Sequence, residues 1–391
     1  MALTFYFIGL IGLVLAELTK GLSANGTPPF LQKMPGQLHL AYFMWSKIML
    51  IRVVLIFALV TMLLMANNNA RLIMIGGAVT LGLAWFTIFW IFEKIWNGRV
   101  KFPGITRKVF ATAKNSKLDP ELQVIGVNQG GEQKAYPVNM VTFHHQIVDQ
   151  VAELPVWVTY CGLCRSGRVY NINVNGQTLD FTLIGAIEFN ATFEDNQTGT
   201  WWRQETGEAA KGNLAGKLLE DVPFEQMTLR NWLKKYPNSS VLQYDPLFAG
   251  RYNFINKLQR FEATKPAWHM QETPPLVIGI ETGGAARGYD WDQLKVYGMI
   301  NDELGGSPIV IATDPDRTSA SAYLRNVDGE ILDFTLTDKG LIDSQTGSIW
   351  DWFGACLKGK MKGKQLIQVQ SYQQYIRSWI TFHPETSFYD F

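Results

Sequence analysis

The chain repeats itself once. Val124-Ile125-Gly126-Val127 returns as Val277-Ile278-Gly279-Ile280, and the same offset carries Asp149 onto Asp302, Pro155 onto Pro308 and Gly176 onto Gly329. Asp180-Phe181-Thr182-Leu183 likewise falls on Asp333-Phe334-Thr335-Leu336. After a short deletion, Gln197-Thr198-Gly199-Thr200 lies on Gln345-Thr346-Gly347-Ser348, Gly216 on Gly363, Trp232 on Trp379 and Pro237 on Pro384. So long a period with two copies describes a duplicated domain, because solenoids need several short repeats to bury a continuous core. The copies part where chemistry is carried. Cys161 and Cys164 fall on Asp314 and Arg317, and His144 and His145 on Tyr297 and Gly298.

Ahead of the repeats lie three apolar runs, Leu3–Ala16, Ile48–Ala66 and Leu72–Phe92, with Arg52 the one charge inside the second. The latter two approach the roughly 20 residues that cross a bilayer as a helix. The first is shorter and lacks the basic start of a signal peptide. Trp85, Trp90 and Trp96 suit a membrane interface. Lys20, Lys33, Lys47, Lys94, Arg99, Lys101, Arg107 and Lys108 stand against Arg71, a count that by itself puts the C-terminal body in the cytoplasm. A net charge of +1 with no basic face gives no reason to expect nucleic acid.

The 391 residues divide into a transmembrane region 1–97 of two to three helices, a basic connector 98–118, a first repeat 119–247, an inter-repeat linker 248–275 and a second repeat 276–391. Within the first repeat, Val124–Val127 and Gln133–Tyr136 read as a hairpin about Gln129-Gly130-Gly131. Asn139–Val151 has apolar residues at helical spacing, and Pro155–Tyr160 reads as a strand ending at Cys161. Val169–Val174 and Thr178–Leu183 read as strands joined through Asn175-Gly176, and Leu229–Tyr236 as a helix stopped by Pro237. Phe248–Pro275 belongs to neither copy and reads as a linker packed between them. The fold expected is α+β and mostly β. N-terminal transmembrane helices lead into an internally duplicated, β-rich soluble body of two lobes about a pseudo-twofold axis.

Three cysteines do not make a disulfide framework. Cys356 stands alone and reads as a small buried hydrophobe. Cys161-Gly162-Leu163-Cys164 lies between two expected strands, whereas a thioredoxin-type pair opens a helix whose N-terminus lowers the first thiol's pKa. A turn between strands aims two thiolates at one point, as a tetrahedral metal site does. His144 and His145 supply candidate further ligands, but adjacent helical residues face about 100° apart, so at most one points inward. A Cys2His site for copper or zinc with an open fourth position is the first reading. A thiol–disulfide oxidoreductase, Cys161 attacking and Cys164 resolving, is the second. A non-enzymatic binding or scaffold protein is the third. Asp195 to Trp202 and its echo Asp343 to Trp350 read as a structural turn capped by a buried indole, with Arg203 and Gln204 placed to face a pocket beside the cysteines. No phosphate-binding Gly loop, G-x-S-x-G or H-E-x-x-H is present, so no nucleotide cofactor is indicated.

From about Val124 onward the chain resembles the bacterial domain of unknown function 3179 family. That family's pattern runs H-E-I-V-N-D, P-V-x-V-T-Y-C-P-L-C, M-Y-D-R-Q-T-x-S-x-W and G-x-L-A-G. The matching pieces are His144 to Asp149, Pro155 to Cys164, Phe193 to Trp202 and Gly212 to Gly216, with Trp379 to Thr386 resembling the family's close. His145 stands at the family's Glu, Gly162 at its Pro, Arg165 at a common Gly and Phe193 at a frequent Met. Losing that Met weakens a copper site of soft sulfur ligands, a place His145 would have to fill. The resemblance implies no established activity. It does imply export, and so a bacterial inner-membrane protein whose soluble body is extracytoplasmic, against the charge count. The partners expected are the lipid bilayer and a metal or redox partner protein.

Overall fold

The computed structural model describes residues 1–25, 30–262 and 275–391. They form two compact units, the first comprising Met1–Pro103, Asp180–Arg203 and Glu208–Lys217, the second the remainder.

The first unit begins with α1 (Ala2–Ala24), α2 (Gln37–Met65) and α3 (Asn68–Trp90), the last continued by one wider turn, Ile91–Ile95. Each is long and apolar enough to cross a membrane. Phe57, Leu64, Leu72 and Leu83 stand exposed on their outer faces, the reverse of the amphipathic pattern of a helix in water. Asn67 turns the chain from α2 into α3, its side chain accepting from Ala70 N at 2.9 Å. Between the helices, fully buried Glu17 accepts two hydrogen bonds from Arg52, at 2.6 and 3.0 Å, and Glu93 pairs with Lys20. Buried carboxylates persist only when paired in this way.

A four-stranded sheet, in the order Ala209–Lys211, Trp201–Arg203, Asn190–Asp195, Phe181–Ile187, completes this unit. Ile184, Ile187 and Trp201 pack on Ala24, Leu38 and Ala41 at the helix ends. Gly185 allows the approach, since a Cβ there would land on the Ala24 carbonyl oxygen. Fully buried Gln37 stitches the two layers, donating to Ser23 O at 2.9 Å and accepting from Glu188 N at 3.1 Å.

In the second unit the duplication is visible strand by strand. A sheet ordered Ser240–Leu242, Glu132–Pro137, Gln123–Gln129, Phe224–Thr228 is repeated as Ser387–Phe388, Ala285–Asp290, Leu276–Thr282, Ser371–Tyr375. A second sheet, Gln146–Val151, Leu154–Cys161, Ser166–Asn171, Glu220–Asp221, is repeated as Met299–Leu304, Ser307–Thr313, Ala320–Leu324, Gln368–Val369. The sheet of the first unit has its counterpart in Phe334–Thr337, Gly340–Asp343, Ile349–Trp350 and Cys356–Lys358. Trp232 and Trp379 cover Gly126 and Gly279, where any Cβ would overlap the indole ring. Trp202 and Trp350 each donate to the aspartate seven residues earlier, Asp195 and Asp343, at 2.8 Å. The Gln-Thr-Gly motif is thus a structural turn in both copies.

One expectation is corrected, and two segments carry more structure than expected. The helix expected over Asn139–Val151 is a short helix, Val138–His144, followed by a strand, Gln146–Val151. The left-handed His145 (φ 63) ends the helix, and the apolar residues that mimicked helical spacing face the core from a hairpin with Leu154–Cys161. The linker expected over Phe248–Pro275 contains a helix, Ala249–Glu262, and its stretch 263–274 lies outside the described residues. The connector contributes Phe110–Thr112, paired with Ser240–Leu242, to the first copy's sheet.

Candidate functional site

The Cys161–Cys164 turn joins Leu154–Cys161 to Ser166–Asn171, two strands of one antiparallel pair. Cys164 N donates to Cys161 O at 3.2 Å, which closes the turn and lays both side chains on one side. Both thiols are buried and their sulfurs lie 3.0 Å apart. Gly162 and Leu163 are exposed, so the pair sits just beneath the surface. No helix follows the motif, as the sequence indicated.

The second repeat holds this turn from outside. Tyr375 N donates to Cys164 O, and Arg377 Nη2 to Leu163 O, both at 2.9 Å. The relation is reciprocal, as a pseudo-twofold requires. Arg230, the counterpart of Arg377, reaches Asp316 of the second copy's turn at 3.3 Å.

Below the thiols lies a buried polar cluster. Gln204 donates to Thr159 Oγ1 at 3.0 Å and Ser166 O at 3.3 Å, tying the two strands together under the turn. Glu205 accepts from Ser166 Oγ and from Arg168 Nη2, each at 2.5 Å. The Arg168 guanidinium also stacks over the Tyr372 ring, 3.4 Å from its centroid. Burial works against the Arg168 charge, but Glu205 and the neighbouring tyrosines outweigh it and hold the pKa up. Burial pushes the Tyr372 hydroxyl up to about 12 against the pull of Arg168. At neutral pH Arg168 is therefore charged and the Tyr372 phenol beside it neutral.

The other copy shows how specific this is. Arg317 N donates to Asp314 O at 2.9 Å, the same turn closure, but Asp314 replaces Cys161. Its carboxylate is filled by Thr318 N at 2.7 Å, Ser319 N at 3.1 Å and Asn231 Nδ2 at 2.5 Å. Tyr170 Oη donates to Gln204 O at 2.9 Å and Tyr323 Oη to Trp352 O at 3.1 Å, which makes Gln204 and Trp352 equivalent. Glu205 and Phe353 follow them in sequence. Gln374 pairs with Val277 as Met227 pairs with Val124. Polar residues therefore surround the thiols where Trp352, Phe353 and Met227 close the other site.

His144 is buried with its Nε2 2.7 Å from Tyr252 Oη, among the rings of Phe143, Phe248 and Tyr252. His145 is half-buried at the left-handed helix end, its carbonyl accepting from Tyr160 N at 3.4 Å. Among the described residues, no three His, Cys, Asp or Glu side chains gather closely enough to hold a metal ion. The sulfurs are also close for the purpose. Zinc–sulfur bonds of about 2.3 Å at tetrahedral angles hold two sulfurs about 3.8 Å apart. Asp149 accepts from Tyr136 Oη at 2.8 Å, as Asp302 does from Tyr289 Oη at 2.6 Å, so both are structural. Arg203 pairs with Glu188 and Glu208. Sequence reasoning missed Arg168, Glu205 and Gln374. Gln374 was findable by its alignment against Met227.

A family model described as "Protein of unknown function (DUF3179)" matches residues 99–386. No curated protein and no solved structure matches the chain.

Proposed function

The chain belongs to the DUF3179 family, and we propose that it is a membrane-anchored dithiol–disulfide exchange protein with Cys161 and Cys164 as its reacting pair. The observation that carries this reading is the 3.0 Å separation of the two sulfurs. A disulfide needs about 2.05 Å, so closure asks for a shift of about 1 Å within a turn already folded. A tetrahedral metal would need the sulfurs to move apart by a similar distance and also to find further ligands, which no cluster of His, Asp or Glu among the described residues provides.

In the forward step the Cys161 thiolate attacks one sulfur of a substrate disulfide. A mixed disulfide forms and one substrate thiolate leaves. The Cys164 thiolate then attacks the Cys161 sulfur and releases the second. The products are the Cys161–Cys164 disulfide and a substrate dithiol; two electrons pass to the substrate, and a thiol reductant resets the pair. The polar cluster supports this reading, since Ser166, Gln204 and the Arg168–Glu205 pair set charge and hydrogen bonding beneath the turn, where the second copy has Trp352 and Phe353. α1, α2 and α3 serve as the anchor, and the body faces the oxidising, extracytoplasmic side of a bacterial inner membrane, where disulfide chemistry is sustained.

The test is redox equilibration of the full chain in glutathione buffers, followed by acid trapping and mass measurement. A two-electron transition that either Cys161→Ser or Cys164→Ser abolishes is expected, with a trapped glutathione adduct on the remaining cysteine. A pair that stays reduced until the protein unfolds would sink the reading, and a tightly bound zinc or copper ion protecting both thiols would restore the metal site.

A further inference from the structure

A cavity of about 270 Å³ opens in the first unit where the ends of α2 and α3 meet the Trp201 sheet. Its aromatic walls are Tyr42, Trp45 and Trp201, with Trp201 edge-on to Tyr42 at 5.2 Å and to Trp45 at 6.2 Å. Its charged groups are Glu93, Arg99 and Glu194. These groups are not equivalent. Glu93 is already neutralised by Lys20 and Arg52. Arg99 and Glu194 meet only loosely, at 3.4 Å, with more than half of the Arg99 side chain in solvent. The indole N–H of Trp45 is buried and has no acceptor among the described residues. The cavity thus offers one available cation and one available anion, with a donor that lacks an acceptor buried in its wall.

The duplication supplies an independent observation. Glu194 and Trp201 are cross-strand partners. Their counterparts in the second copy's sheet are Ile342 and Ile349, also partners. The copy packed on the apolar helices has replaced an aliphatic pair with a carboxylate and an indole. Depth along the helices completes the argument. Exposed Met49, Leu50, Val53 and Trp90 lie one to two turns from Trp45 and Glu93 toward the apolar middle of α2 and α3, so the cavity stands at headgroup level if these helices span a bilayer.

We propose that this cavity binds the headgroup of a phospholipid that carries both a phosphate and a primary amine, as phosphatidylethanolamine does. Arg99 and the Trp45 N–H take the phosphate, by charge-assisted and ordinary hydrogen bonds. Glu194 takes the ammonium, against the faces of Tyr42 and Trp201. Lys20 already lies over the Trp45 ring, 4.4 Å from its centroid, so the cage holds a cation at its inner wall. A headgroup with both charges satisfies both halves of the loose Arg99–Glu194 pair, whereas a glycerol headgroup leaves Glu194 facing hydroxyls. The inference rests on the membrane anchoring proposed above and not on the dithiol.

The full chain, extracted in detergent, is offered an equimolar mixture of phosphatidylethanolamine, phosphatidylglycerol and phosphatidylcholine, and native mass spectrometry reads the lipid retained. One equivalent of phosphatidylethanolamine is expected, favoured by about tenfold, with Arg99→Gln and Glu194→Gln each erasing that preference and Trp45→Phe weakening it several-fold. Equal retention of the three lipids, or an undiminished preference in both charge variants, would overturn the site. Displacement by equimolar soluble phosphoethanolamine would overturn the lipid as its source. Alkaline washing of membranes separates the two claims. A chain that stays in the washed membrane but shows no preference keeps its anchor and loses the site, whereas a chain released by the wash loses the anchor itself.

Discussion

At the scale of the residue, the site is defined by groups that packing alone does not need. Gln374 is fully buried, and neither atom of its amide has a partner among the described residues. An unsatisfied buried amide costs about 1–3 kcal/mol, and the second copy places Met227 at the same register. Gln374→Met is therefore expected to stabilise the protein by about 1–3 kcal/mol in chemical denaturation while slowing thiol exchange. A loss of stability would show that the amide is satisfied in solution. Glu281 gives a pH-dependent case. His383 Nε2 lies 2.7 Å from its carboxylate, and this hydrogen bond holds the Glu281 pKa below the usual range against the effect of burial. A lowered carboxyl pKa contributes stability that is present above the unfolded value, about 4.3, and is lost as pH falls through the folded one. The stability gap between wild type and Glu281→Gln is thus expected to be widest near neutrality and to close as pH falls through the folded pKa. Half exposure of Glu281 keeps the gap small. Unfolding curves across that range check it, and a gap independent of pH would contradict the assignment.

At the scale of the element, the two copies act as controls for one another. Gly126→Ala and Gly279→Ala force the same overlap with Trp232 and Trp379, so both are expected to cost about 1–3 kcal/mol or more, by similar amounts. Thermal unfolding of the two variants measures this, and a large effect at one glycine alone would mean the indoles are not equivalent. The internal repeat made most of these elements legible, because Gly, Asp and Trp at matched positions mark turns and close contacts that both copies need. The strand Gln146–Val151 was misread because Ile147, Val148 and Val151 fit a helical period as well as they fit the edge strand of a hairpin, and the left-handed His145 decides between them. Ala249–Glu262 was missed although Phe254, Leu258 and Phe261 recur at helical spacing in the sequence; among its described side chains, Tyr252 enters the core. The cysteines were legible as a pair, but their partners were not. Glu205 lies well beyond the turn within the same copy, and Tyr372 and Arg377 come from one strand–helix segment of the second copy that the pairing of the lobes brings to the site.

At the scale of the whole molecule, one copy retains a scaffold and the other adds a reactive centre to it. In the first copy the sheet that follows Asp180 belongs to the helical unit and carries Trp201 and Glu194; in the second, the equivalent sheet closes a core around Trp350. The helices contribute more than length. Removing one partner from the Glu17–Arg52 pair strands a buried charge, so Arg52→Leu is expected to destabilise the helical unit by about 3–5 kcal/mol, read as a lower melting temperature in detergent. The central claim, however, is the chemistry of Cys161 and Cys164. The most direct measurement is a joint count of thiols and metal on the full chain, purified without chelator, before and after mild oxidation, beside the Cys161→Ser, Cys164→Ser double variant. The account requires two thiols lost and regained together, Cys356 unchanged, and no zinc or copper in proportion to protein. About one equivalent of metal that disappears in the double variant, with both thiols resistant to oxidation, would contradict it.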